Sequence, residues 1–143
     1  MDQKLSRLID GLNEDLAHEY AAIISYNHYA ATVSGLSRQF LKPFFLSEVQ
    51  EETGHATFLA DKIVSLGGVP TTTPKPVKHT EQVKEILANL LEAEKDTIKR
   101  YADRIEQAEQ AQEFALKLKL EEMLAEETVH MEELERLLQD PRL

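Results

Sequence analysis

Glu52 and His55 stand three residues apart, and Glu127 and His130 repeat that spacing 75 positions later. The same offset carries Glu19 onto Glu94. It also carries Leu12 onto Leu87, Leu16 onto Leu91, Ile23 onto Ile98, Tyr26 onto Tyr101, Val49 onto Leu124, Leu59 onto Leu134 and Ile63 onto Leu138. Residues at i and i+3 of an α-helix share a face, so each Glu-x-x-His predicts a carboxylate and an imidazole one turn apart. Tandem amphipathic helices would align some apolar residues by composition alone. They would not also align four Glu, two His and two Tyr. The chain therefore reads as two copies of one helical hairpin, an all-α fold.

Four amphipathic stretches carry the pattern. The first spans about 3–33, with Leu5, Leu8, Leu12, Leu16, Ile23, Tyr26, Ala30 and Val33 on one stripe and Glu19 inside it. Gly35 is expected to stop it and Ser37 to cap the next helix. The second, about 38–66, places Leu41, Phe45, Val49, Leu59 and Ile63 around Glu52 and His55. Pro43 lacks a backbone donor, which predicts either a start near Lys42 or a kinked first turn. Residues 67–79 hold Pro70, Pro74 and Pro76 and form the one long connection, suited to an extended crossover along a bundle. The third helix, about 80–108, starts at Thr80 as expected cap and carries Leu87, Leu91, Glu94, Ile98, Tyr101 and Ile105. Residues 109–112 read as a short turn or a frayed helix end. The fourth helix, about 113–139, carries Leu116, Leu120, Leu124, Glu127, His130, Leu134 and Leu138, and Asp140-Pro141 closes it. Residues 1–143 thus read as a single four-helix domain.

Composition narrows the chemistry. There is no Cys, which excludes disulfides, thiolate metal sites and cysteine nucleophiles. The N-terminal residues show no basic start followed by an apolar run, and no stretch reaches the ~20 apolar residues of a membrane span. A cytoplasmic protein is the expectation. The net charge is −10, with 26 acidic against 16 basic residues, which argues against a nucleic-acid surface. No Gly-rich nucleotide motif is present.

Six ionisable residues lie in otherwise apolar stripes: Glu19, Glu52, His55, Glu94, Glu127 and His130. Burying even one unpaired charge costs several kcal/mol, and no basic residue shares their helical phase. Either the carboxylates hold protons or cations bind among them. Two divalent cations would balance four carboxylates, the imidazoles adding no charge. Oxygen and imidazole donors suit iron, manganese or zinc. Tyr26 and Tyr101 follow Glu19 and Glu94 by seven residues, two turns along the same face. His18 and His28 fall off the stripes and His79 in the crossover, which predicts surface positions for all three. A helix-interior Gly54 suggests close packing of a neighbouring helix.

This pattern resembles the ferritin-like di-iron superfamily, most closely its bacterioferritin branch, over about residues 3–139. The resemblance implies an up-down-down-up four-helix bundle with a long crossover between helices 2 and 3. It implies Glu19 and Glu94 as terminal ligands, Glu52 and Glu127 as bridging ligands, His55 and His130 as nitrogen ligands, and Tyr26 as a supporting residue of the catalytic set. Two Fe ions per chain would be bound, with Mn or Zn as possible substitutes. Haem-binding bacterioferritins place Met directly after the bridging Glu of the second helix. Here that residue is Thr53, which argues against haem. Thirteen residues follow His130, too few for the short fifth helix of large storage cages. No Lys-rich tail of the kind carried by DNA-protecting miniferritins is present.

The resemblance therefore implies a ferroxidase that oxidises Fe(II) with oxygen or peroxide, in iron storage, detoxification and oxidative-stress protection. Its partners would be Fe(II), the oxidant and further copies of the chain in a homo-oligomer. Rival readings are a rubrerythrin-like peroxide scavenger, a manganese-dependent oxidase, and a non-catalytic metal-binding bundle.

Overall fold

The computed structural model describes residues 2–143. It holds four helices: α1 (Gln3–Thr32), α2 (Arg38–Ser65), α3 (Val83–Gln110) and α4 (Phe114–Leu137), with no strand among the described residues. Two apolar clusters fix their directions. One gathers Leu8, Leu12 and Leu16 of α1 with Leu59 and Ile63 of α2, Tyr101 and Ala108 of α3, and Leu116 and Leu120 of α4. The other joins Tyr26 and Ala30 with Leu41 and Phe45, Ile86 and Leu90, and Leu134. The start of α1 thus lies beside the end of α2, the end of α3 and the start of α4. The bundle is up-down-down-up, with one core at each end and the Glu-x-x-His segments between them.

The crossover is extended, as its prolines predict, and runs as a strap along α1. The Asn13 amide donates to Val69 O at 3.1 Å and its oxygen accepts from Thr71 N at 2.8 Å. Further along, Lys75 N donates to Ala17 O at 3.1 Å. Tyr29 Oη donates to Lys78 O at 2.5 Å, and the rings of His28 and His79 meet at 2.8 Å. The bonds to Val69, Thr71, Lys75 and Lys78 satisfy strap backbone groups that no sheet or helix serves. His18 and His28 are part-exposed and His79 exposed, as their phase predicts.

Helix ends depart from the sequence reading where side chains find other partners. α3 begins at Val83 rather than Thr80, and its N-cap residue Gln82 makes no side-chain cap bond. The Thr80 hydroxyl instead donates to Glu85 Oε2 at 2.6 Å and accepts from Gln82 N. With His79 and Lys78 held against α1, the chain stays extended past Thr80. α2 begins at Arg38, as the 38–66 span expects and not near Lys42, and Pro43 sits inside it. The bond to Gln39 O that Pro43 cannot make is offset by burial of Leu41 and Phe45 on either side. Ser37 makes no side-chain cap bond either. Arg38 serves this corner instead: its Nη1 donates to Val33 O at 2.6 Å and to Ala31 O at 3.2 Å, carbonyls orphaned at the end of α1. Gly35 has φ +86°, the left-handed conformation expected of the stop. No described helix is long and apolar enough to cross a membrane.

Candidate metal centre

Between the two cores, the six residues singled out by the repeat come together. Glu19, Glu52, Glu94, Glu127, His55 and His130 are each at least nine-tenths buried. Glu19 comes from α1, Glu52 and His55 from α2, Glu94 from α3, and Glu127 and His130 from α4. His55 Nδ1 lies 3.1 Å from Glu127 Oε1, 3.9 Å from Glu19 Oε1 and 4.0 Å from Glu52 Oε2. His130 Nδ1 lies 3.6 Å from Glu127 Oε2, 3.7 Å from Glu52 Oε1 and 4.0 Å from Glu94 Oε1. Each of Glu52 and Glu127 therefore turns one oxygen toward each imidazole. This follows from a three-residue spacing repeated on facing helices.

The donor atoms form two overlapping groups, each within 4.8 Å, that could hold a metal ion: Glu19, Glu52, His55 and Glu127, and Glu48, Glu52, Glu94 and His130. Every one of these residues has a buried donor atom without a hydrogen-bond partner among the described residues. Buried polar atoms are rarely left unpaired, and here they all face one small volume. That is the arrangement a cation would complete.

Without a cation, protons compensate the charge. Burial, then the charge of Glu19, pushes Glu52 well above the usual carboxylate range. Burial, then its close approach to Glu127, does the same to Glu94, and burial raises Glu19. Glu127 is the exception. Burial pushes it up, but contacts from Glu94, His130, His55 and Glu52 outweigh this and leave it well below the usual range. Burial pulls both imidazoles down, yet Glu127 and Glu19 lift His55 to about 9, and Glu127 and Glu48 lift His130 to about 11.

A ring of partners holds these groups in place. Tyr26 Oη donates to Glu94 Oε1 at 2.8 Å, and Tyr101 Oη donates to Glu19 Oε1. Burial, then Glu94 for Tyr26 and Glu19 for Tyr101, pushes both phenols well above their ordinary range, so they remain donors. His55 Nε2 meets Glu126 Oε2 at 2.6 Å and His130 Nε2 meets Glu51 Oε2 at 2.8 Å. Glu51 and Glu126 reach the surface between α2 and α4, where with His55 they form a third, shallower donor group. On the opposite face, beneath the strap, a cavity of about 340 Å³ between α1 and α3 reaches Glu52 and Glu94.

Three carboxylates escaped the sequence reading. Glu51 and Glu126 obey the 75-residue offset and could have been found by it. Glu48 could not, because its counterpart is Met123. Two other positions differ from expectation or lie outside the centre. Gly54 is exposed and a Cβ there would meet nothing within 4 Å, so no helix packs against it and nothing in the structure explains the glycine. Thr53 is exposed, its hydroxyl donating to Val49 O at 2.6 Å.

Known proteins share this fold. The model of the ferritin-like domain family matches residues 9–143. A bacterial non-heme ferritin of Staphylococcus saprophyticus is 27% identical over 142 residues, covering 93% of this chain and 85% of that protein. The crystal structure of a ferritin-like, diiron-carboxylate protein from Bacillus anthracis superposes with a TM-score of 0.96 at 57% identity, covering 97% of this chain and 100% of that one. The bacterioferritin of Rhodobacter capsulatus, whose structure has a metal-free dinuclear site and a heme iron, gives 0.83 at 25% identity over 93% and 84% of the two chains. With four helices in the same order and a buried carboxylate–histidine centre between them, this chain belongs to the ferritin-like family.

Proposed function

We propose that this protein is a ferroxidase that binds Fe(II) as substrate at the carboxylate–histidine centre. One observation carries the reading: unpaired, buried oxygen and Nδ1 atoms converge from all four helices on a volume with two overlapping donor groups. Glu19 and His55 would hold one iron, Glu94 and His130 the other, and Glu52 and Glu127 would bridge them. Oxygen and imidazole donors suit iron in both oxidation states. Tyr26 and Tyr101 orient Glu94 and Glu19, and Glu126 and Glu51 fix the tautomers of His55 and His130.

The redox balance is simple. Two Fe(II) ions give up one electron each. Oxygen takes both with two protons and becomes hydrogen peroxide, or peroxide takes both with two protons and becomes two waters. The protons that Glu52, Glu94 and the imidazoles hold before metal uptake are released as iron enters. The cavity beneath the strap supplies a path for a small oxidant. A cytoplasmic setting accords with a chain free of Cys. Iron storage further requires a closed homo-oligomeric shell, whereas peroxide removal does not.

Anaerobic Fe(II) titration followed by air tests this reading. Saturation at two irons per chain, followed by ferric absorbance, is expected. Absence of binding, or turnover unaffected by Glu94→Ala or His130→Ala, would overturn it. The assembly mass then separates the uses: 12 or 24 subunits favour storage, and a dimer favours peroxide removal.

A further inference from the structure

The centre is not symmetric, and the asymmetry resides in one residue. Glu48 lies one turn before Glu52 on α2 and is only 4% exposed. Its Oε2 is 2.8 Å from His130 Nδ1, an ion-pair contact that falls outside hydrogen-bond geometry and leaves this buried oxygen without a hydrogen bond among the described residues. It falls in one donor group with Glu52, Glu94 and His130. The half of the centre holding Glu19 and His55 has no such addition. There the repeat places Met123, fully buried in the apolar core with Leu59, Leu116 and Leu120.

Two other roles for Glu48 do not fit. No Lys or Arg lies within ion-pair distance of it among the described residues, His130 being its one basic partner. Nor does His130 need it for orientation. Its outer nitrogen is already fixed by Glu51, as that of His55 is fixed by Glu126 alone. Glu48 approaches the inner nitrogen, on the side where the other donors converge.

We infer that Glu48 is a seventh metal ligand, which makes the Glu94–His130 position the tighter of two unequal sites for divalent first-row cations. This rests on the two-metal reading above. On that reading Glu52 and Glu127, each with one oxygen toward each imidazole, would serve both positions, and each position would add its own Glu and His. Glu48 gives the second position an additional carboxylate, and affinity for a hard cation rises with the charge of its oxygen donors. The first ion to arrive therefore occupies the Glu94–His130 position. The second meets a site with one fewer carboxylate and a neighbouring cation already in place.

Anaerobic Co(II) titration, followed by calorimetry and visible absorbance, tests this on the full-length protein. The wild type should take up two ions in steps at least about tenfold apart in Kd. In Glu48→Gln both ions should still bind, but the steps should close to within about threefold, mainly through weakening of the first. Glu48→Met, which copies the residue at the repeat position, should behave alike. A crystal structure of the Zn(II)-loaded wild type should place Glu48 at bonding distance, about 2.0–2.2 Å, from one metal. Unchanged step separation in Glu48→Gln and Glu48→Met, equal steps in the wild type, or Glu48 lying clear of both zinc ions would overturn the inference while leaving the two-metal reading intact. A wild type that binds no Co(II) would overturn both.

Discussion

Tyr26 donates its hydroxyl to Glu94 across 68 residues of sequence, from α1 to the antiparallel α3. Tyr101 returns the arrangement by donating from α3 to Glu19 on α1. Each half of the repeat thus steadies a carboxylate of the other. A phenol kept protonated by burial holds the carboxylate oxygen in one orientation without competing for it as a base. Replacing Tyr26 by Phe should weaken metal binding at the Glu94 position by about tenfold, and Tyr101→Phe should do the same at the Glu19 position. Stoichiometry should stay at two ions. Co(II) titration of the two variants checks this, and unchanged affinity in both would show that the phenols do not position the carboxylates.

The outer contacts of the histidines make a parallel prediction. Glu126 and Glu51 bind the Nε2 atoms, so Nδ1 of each ring is left to face the centre. Glu126→Gln and Glu51→Gln should each lower affinity by about 10–100-fold in one half only. Both carboxylates are partly exposed, so neither substitution should move the melting temperature of the metal-free protein by more than a few degrees. A uniform loss at both positions would instead mean that the substitutions disturb the bundle.

Much of this was legible in the chain. The repeat places Glu19, Glu52, His55, Glu94, Glu127 and His130 at one level, because equal spacing on four helices of similar phase leaves them no other common face. The proline-rich crossover likewise announces the topology. What stayed hidden depended on contacts between elements. Glu51 and Glu126 obey the 75-residue offset, but what they do shows only once His130 and His55 are seen beside them. The pairing of His28 with His79 has no periodic signature, since one residue belongs to a helix and the other to the strap. Glu48 is hidden for the opposite reason: a filter built on symmetry removes the residue that breaks it.

The protonation of the metal-free centre gives stability a definite pH dependence. His55 and His130 are lifted to about 9 and about 11, against about 6.5 in an unfolded chain. Glu52, Glu94 and Glu19 also keep protons above the usual carboxylate range. The folded chain then binds more protons than the unfolded one, so stability falls as pH rises. The imidazole contribution is fully present below about pH 6.5 and is lost as pH rises through about 9 and then 11. Glu127 acts oppositely, but only as pH falls through the acidic range. Chelator-treated protein should therefore melt at lower temperature at pH 9 than at pH 6.5. Metal-loaded protein should lose much less over that interval, because cations replace the protons. A metal-free melting temperature that rises across it would contradict this account.

Asp15 and Arg104 hold the bundle together away from the metal centre. Asp15 on α1 is fully buried and accepts from Arg104 Nε at 2.8 Å and Nη2 at 3.2 Å on α3. Burial pushes Asp15 up to about 6, against the pull of the Arg104 guanidinium, so the pair is ionised at neutral pH. It lies one turn from Glu19 on α1 and one turn from Tyr101 on α3, and so sets the register in which those two meet. Gly11 completes the fit, because a Cβ there would overlap the Arg104 guanidinium. Asp15→Asn leaves a buried cation without its anion and should cost about 3–5 kcal/mol. Gly11→Ala should also destabilise, by forcing Arg104 out of its pairing position. Thermal unfolding at neutral pH should show both losses with or without metal, which separates them from substitutions in the centre. In the double variant Asp15→Asn with Arg104→Gln, the second change should cost far less than it does alone, since the unpaired charge is gone. Simple additivity of the two single losses would show that the pair does not act as a unit.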